Sequence, residues 1–167
     1  MTHTVNYKFW NLIVVLKDEK ILLIERNKGD FGGLVPPGGK VEFPETFIDS
    51  AIRELKEESG LTAIDIQQHG LSGFINEEKK EQFIFVDYLC TSFSGDLIEN
   101  GPEGKSAWYP ISKIKDLDIK DDIKLRILEL LKGNLYEYQM FWDETKNTVG
   151  SGFLKSSKYI DKNINHL

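Results

Sequence analysis

Glu54, Glu57 and Glu58 lie close together in a stretch whose apolar residues, Phe47, Ile48, Ala51, Ile52 and Leu55, recur with a helical period. At about 100° per residue, Glu54 and Glu58 share one helix face and Glu57 sits slightly further round. Like charges at this spacing destabilise a helix, so three convergent glutamates require a cation to offset the repulsion. Hard carboxylate oxygens suit Mg²⁺, which prefers six oxygens and keeps waters and substrate phosphates among them. A metal held this way can activate water and neutralise charge on a phosphoryl oxygen. The alternative is a solvated acidic face, with Arg53 and Lys56 as local partners.

The elements that must position these acids are legible on either side. Residues 27–39 carry Gly29, Gly32, Gly33, Pro36, Pro37, Gly38 and Gly39, a density expected to rule out regular structure. A backbone so poor in side chains can approach a phosphate or ligate a metal. Pro44 and Glu45 are expected to open the helix, and Gly60 to stop it. Residues 7–16 and 21–25 read as two strands joined by a turn at 18–20. Further strands are expected at 61–74, 82–93, 108–109 and 136–142, a loop at 94–106 and a second helix at 119–131. The segment from Thr145 is polar and weakly patterned. Strands alternate with helices while hairpins dominate, which predicts an α/β fold with helices packed on a mostly antiparallel or mixed β-sheet.

Bulk properties narrow the function classes. The 167 residues are the size of one domain, and the hydrophobic fraction of 40% is enough for a core. The formal net charge of -6 argues against a protein living on nucleic-acid backbone contacts. Bound cations still permit an anionic small-molecule substrate. One cysteine, Cys90, cannot form an internal disulfide. It fits a reducing cytoplasm and reads as a small apolar strand residue rather than a nucleophile. Residues 12–16 are too short for a secretory h-region, and no stretch reaches membrane-span length. His3, His69 and His166 show no metal-ligand spacing. Trp10, Trp108 and Trp142 could stack on a base, although strand aromatics are more often core.

The segment 39–61 resembles the Nudix signature G-x5-E-x7-R-E-U-x-E-E-x-G-U, where U is a bulky aliphatic residue. It matches at Gly39, Glu45, Arg53, Glu54, Leu55, Glu57, Glu58, Gly60 and Leu61. The flanking strand–loop–strand order extends the likeness over most of the first 132 residues. The resemblance implies an α/β/α sandwich over residues 1–144, with 145–167 as a C-terminal tail packed on it or not. It implies hydrolysis of a nucleoside diphosphate linked to a further moiety. Glu54, Glu57 and Glu58 would hold Mg²⁺, or Mn²⁺ in its place, with the carbonyl of Gly38 as an added ligand. Arg53 would orient the glutamates, and Glu45 would support them from behind. A small-molecule nucleotide is then the expected partner, with no stable nucleic-acid or membrane association, and the chain is expected as a monomer or homodimer.

Residues outside the box bear on the substrate. The loop 102–105 is similar to one that supplies a further ligand or base in MutT-like members, which points to Glu103; an ordinary exposed turn glutamate is the alternative. ADP-ribose hydrolases of the family carry a proline, and diadenosine polyphosphate hydrolases a tyrosine, where residues 76–80 stand here, so both substrates lose support. Residues 115–132 resemble the segment in which oxidised-purine nucleoside triphosphatases place two base-reading aspartates, and the match falls on Asp121 and Asp122. Capping of the second helix is the alternative role. Two positions depart from that group: Val35 stands where a base-reading polar residue is common, and Ile119 where a tryptophan stacks. Arg26 and Gly39 are candidate phosphate contacts, Arg26 alternatively being a solvated strand-end charge. The expectation is conversion of a (deoxy)nucleoside triphosphate, such as 8-oxo-dGTP, to the monophosphate and pyrophosphate. Hydrolysis of another substrate, such as a nucleotide sugar or an RNA 5′ end, and a non-catalytic binding module are the alternatives.

Overall fold

The computed structural model describes residues 4–26 and 32–156. His3, His166 and Gly29 lie outside them.

Asn6–Lys17 forms β1, turns through Asp18 with φ 54° and returns as β2, Lys20–Arg26. The two strands pair only beside the turn and then diverge. β3, Gly33–Val35, pairs antiparallel with the far end of β2. This corrects the expectation that residues 27–39 hold no regular structure. Glycine and proline density does not prevent three residues from completing a strand edge that β2 leaves unpaired. Helix α1 is Phe47–Ser59, followed by β4, Thr62–Asn76, and β5, Glu81–Ser94. β6 runs Gly104–Pro110, longer than the two residues its sequence suggests, because its whole length pairs with β2. A 3-10 helix, Ile111–Asp116, precedes helix α2, Asp121–Leu131. β7 is Tyr136–Asp143 and β8 Thr148–Ser156. β8 pairs with β7 through Thr148↔Asp143, so the division at 144/145 falls in a hairpin turn.

The sheet order is β3-β2-β1-β5-β4-β7-β8, with β6 on β2. It is mixed: β1 and β5 are parallel, as are β4 and β7, and the other neighbours are antiparallel. Both faces of its centre are buried, as expected of a sheet between helical layers. On β1, Leu12 and Val14 join the cluster under α2 with Ile127 and Leu130, while Ile13 and Val15 join the cluster under α1 with Ala51 and Leu55. Each of these Leu, Ile and Val side chains contributes about 1.5–3 kcal/mol when fully buried. No helix among the described residues is long and apolar enough to cross a membrane.

Two features of α1 differ from its pattern. It opens at Phe47 rather than at Pro44 or Glu45, where the Thr46 hydroxyl accepts from the Asp49 amide at 3.2 Å and caps the first turn. Its inward stripe is Ser50, Ala51, Leu55, Glu58 and Ser59, whereas Phe47 and Ile48 are 43% and 42% exposed. The helix is rotated toward its polar side because Ser50 and Glu58 find partners in β1 and the preceding loop. α2 likewise starts at Asp121, and Ile119 packs in the core just ahead of it.

Candidate active site

The site is built where the loop 36–41 runs beside β1 and meets α1. The loop backbone pairs with β1 through Ile13 N–H to Pro37 O, Asn11 N–H to Gly39 O and Val41 N–H to Phe9 O, at 2.8, 2.8 and 2.9 Å. The Asn11 side chain, buried, accepts from the Gly39 amide and donates to Ser50 Oγ, each at 3.1 Å. It thereby joins strand, loop and helix. Gly38 lies against β1 so closely that a Cβ would sit 2.2 Å from the Asn11 carbonyl oxygen.

Glu58 points from α1 into this loop, 5% exposed, and its carboxylate accepts from the Gly38 amide at 2.9 Å. Burial pushes its carboxyl up to about 7, against the opposing pull of the Gly38 amide and Arg26. Glu54, one turn earlier, is also raised by burial, with Arg53 acting the other way. Glu57 is directed outward, with its side chain 58% exposed. The three acids therefore share one region without closing on one point. Among the described residues no three acidic, histidine or cysteine side chains are arranged to hold a cation unaided.

Two arginines account for that arrangement. Arg53 grips Glu45 with one edge of its guanidinium, Nε donating to Oε1 at 2.6 Å and Nη2 to Oε2 at 3.0 Å. It reaches Glu54 at 2.8 Å, Glu57 at 3.2 Å and the Lys40 carbonyl at 3.1 Å. The Glu45 bond is the main reason its guanidinium is held still more firmly protonated and the Glu45 carboxyl is lowered. Arg26, at the end of β2, stands 3.5 Å from Glu58 and 3.6 Å from Glu103. Glu103, expected in a loop, sits immediately before β6 and is brought to the box by β6 pairing with β2. A hard divalent cation suits this donor set. The set is all oxygen, and its most buried member, Glu58, is a carboxylate whose charge is only partly balanced.

A cavity of about 260 Å³ adjoins the box. Trp10, Leu12, Phe74, Phe83, Phe85 and Met140 form its sheet side; Lys120, Asp122, Ile123 and Arg126 close it from α2; Asn11, Arg26, Val35, Pro36 and Gly38 form the end nearest Glu58. The structure divides the aspartate pair. Asp122 lines the cavity, whereas Asp121 is exposed and outside the lining. Neither caps α2 from its N-cap position, which is Lys120. Trp10 is a cavity wall, Trp108 stacks on Phe93 and Trp142 packs on Phe74. Among the described residues, His69 belongs to no group of acidic, histidine or cysteine side chains that could hold a metal ion.

The floor of this cavity is made by residues that belong to no motif in the sequence. Arg126 is 3% exposed and is paired with the fully buried Asp87, and the Tyr136 hydroxyl donates to the same carboxylate at 2.7 Å. The signal was present as charges in apolar periods: Asp87 within the strand 83–93 and Arg126 beside Ile127 and Leu130.

Comparison with known proteins places this arrangement. A model described as the NUDIX domain matches residues 10–131, and the chain belongs to the Nudix family. A Bacillus subtilis protein named uncharacterized Nudix hydrolase YvcI is 32% identical over 107 residues, 62% of this chain and 66% of that protein. The ADP-ribose pyrophosphatase of Methanocaldococcus jannaschii is 33% identical over 97 residues, 58% of this chain and 57% of that one. The chain thus spans somewhat less than two thirds of either relative. The mouse oxidized purine nucleoside triphosphate hydrolase is 30% identical over 122 residues, 69% of this chain and 74% of its own. Among solved structures, a MutT protein from Bacillus halodurans has a TM-score of 0.78 at 22% identity, covering 89% of this chain and 97% of that one. The α/β fold with its mixed sheet between helices is therefore the MutT-type Nudix fold. Nudix hydrolases act on nucleotide diphosphate linkages and generally use divalent cations.

Proposed function

We propose that the protein hydrolyses a purine nucleoside triphosphate to the monophosphate and pyrophosphate, with an oxidised purine such as 8-oxo-dGTP the first substrate to test. The observation that carries this reading is the continuity of the aromatic cavity with the glutamate box. A planar base fits among Trp10, Phe74, Phe83 and Phe85 while Gly38 and Arg26, at the other end, adjoin Glu58. The likeness to the mouse oxidized purine nucleoside triphosphate hydrolase supports the same substrate class.

In this reading Glu54, Glu57, Glu58 and Glu103, with the Gly38 carbonyl, would hold Mg²⁺, for which Mn²⁺ substitutes. When bound, the cation supplies an activated water and neutralisation of phosphoryl charge. Arg53 fixes Glu54 and Glu57 against Glu45 and the loop, so the acids keep their places as charge builds nearby. Arg26 turns from Glu58 and Glu103 toward the substrate's phosphates, beside the backbone of Gly39. Asp122 accepts from the base, and Asp121 remains in solvent.

The test is a panel of nucleoside triphosphates, oxidised and unoxidised, with ADP-ribose and a nucleotide sugar, each with Mg²⁺ and with EDTA. Release of pyrophosphate and monophosphate from purine triphosphates, abolished by EDTA, is expected. Preferential release of ribose 5-phosphate and AMP from ADP-ribose would replace the substrate assignment. No turnover of any compound would leave a binding module.

A further inference from the structure

We propose that Arg126, clamped beneath the aromatic cavity by Asp87 and Tyr136, determines base specificity by donating a hydrogen bond to a carbonyl oxygen of the bound base. The proposal rests on the reading that this cavity receives the base of a nucleotide.

The geometry of the clamp is the first argument. Arg126 meets Asp87 through Nε at 2.9 Å and Nη2 at 2.5 Å. A planar fork engaged along its Nε–Nη2 edge turns the remaining nitrogen, Nη1, away from the carboxylate. The guanidinium lies 4.7 Å from the centre of the Phe85 ring, and both residues line the cavity. Asp87 in turn accepts from Tyr136, whose ring lies over Gly70, where a Cβ would stand 2.2 Å from Cζ. Four elements, α2, β5, β7 and β4, thus fix one guanidinium at the cavity floor.

Energetics supply the second argument. A buried ion pair is a weak source of stability, since apolar residues of similar volume often serve as well. Here the pair sits against a cavity rather than in the packed core, so a donor held at a fixed angle has a ligand to meet. A second donor faces the same space: Trp10 lines the cavity and its Nε1–H is buried with no hydrogen-bond partner among the described residues. A buried N–H donor without a partner, beside a guanidinium that lines the same space, calls for an acceptor on the ligand.

Asp122 stands one helical turn before Arg126 on the same side of α2 and lines the same cavity. A carboxylate beside a guanidinium matches the adjacent N–H and C=O of a lactam edge, as in hypoxanthine and guanine. An adenine held in the same orientation by its phosphates would turn its amino group toward Arg126, leaving two donors face to face. A site that hydrogen-bonds a substrate group discriminates strongly against the analogue lacking it.

The test is nucleotide binding without metal, followed by tryptophan fluorescence, with IMP and AMP as probes of the full-length protein. These differ chiefly in the lactam against the amino edge. Wild type is expected to bind IMP about tenfold more tightly than AMP. Arg126→Met should bind both within about twofold of each other while retaining its circular dichroism. Tyr136→Phe leaves the ion pair in place but unpins Asp87, and should narrow the preference by about threefold. If Arg126→Met does not fold, Tyr136→Phe decides. A preference unchanged in the folded variants, no preference in wild type, or no nucleotide binding would each overturn the proposal. Because the readout needs neither metal nor turnover, failure of the hydrolase reading shows separately, in the panel with Mg²⁺.

Discussion

The carboxylate of Glu54 occupies the space in which residue 39 would carry a side chain: a Cβ on Gly39 would stand 2.3 Å from Glu54 Cδ and 2.5 Å from each of its oxygens. The glycine of the signature is therefore a steric requirement of its glutamate. Gly39→Ala should fold, because its backbone is not in the left-handed region, but must displace Glu54. A kcat lowered about 100-fold with little change in melting temperature is expected; unchanged turnover would show that Glu54 has room to move.

Glu58→Gln separates chemistry from stability. The amide oxygen can still accept from Gly38, while the burial that pushes the carboxyl up to about 7 no longer opposes a charge. Turnover with Mg²⁺ should fall by roughly two to four orders of magnitude, and the metal-free variant should melt higher than metal-free wild type at pH 8. Glu57→Gln, at an exposed position, should lose comparable activity with no such gain. Calorimetry of both variants in EDTA, beside initial rates, checks the pair.

Arg53→Lys keeps a charge and removes the fork. One ammonium cannot hold Glu45, Glu54, Glu57 and the Lys40 carbonyl together. A kcat about 100-fold lower, with substrate KM changed little, is the expected split. A KM defect alone would instead make Arg53 a substrate contact.

Asp122→Ala should change the ranking of bases, and Asp121→Ala should leave it intact, because only Asp122 lines the cavity. Relative kcat/KM over a nucleotide panel measures this. Equal effects from the two substitutions would restore the pair as a unit.

Cys90 is buried and its thiol is pushed up to about 11 by burial. At pH 8 roughly a thousandth of it would be thiolate. Native protein should resist iodoacetamide at pH 8 and react once unfolded in guanidinium; rapid native labelling would contradict the burial.

The fold's legible parts are those whose signals are local. The aromatic and β-branched run in 7–16, the stop at Gly60 and the spacing of Glu54, Glu57 and Glu58 all act within a few residues. What was not legible depended on partners distant in the chain. β3 exists because β2 diverges from β1, and β8 because β7 offers an open edge; neither has a pattern of its own. Ile48 looks apolar enough to face the core, yet Ser50 and Glu58 win the inward side through Asn11 and Gly38. The same limitation hid Arg126, whose meaning lies in Asp87, 39 positions away. Glu103 is legible only through the likeness of its loop to the family's, and its approach to Arg26 follows from the pairing of β6 with β2.

The anchoring of residues 36–41 along β1 also sets how long that segment stays closed. Amide protons exchange with solvent only when their hydrogen bonds open, and core strands open last. The amides of Gly39 and Val41 are bonded to Asn11 and Phe9 on the central strand, and Gly38 to a buried carboxylate. A stretch rich in glycine and proline should therefore exchange on the timescale of the sheet rather than of a surface turn. Its persistence comes from its neighbour, and the loop backbone beside Glu58 is as durable as the core it borders.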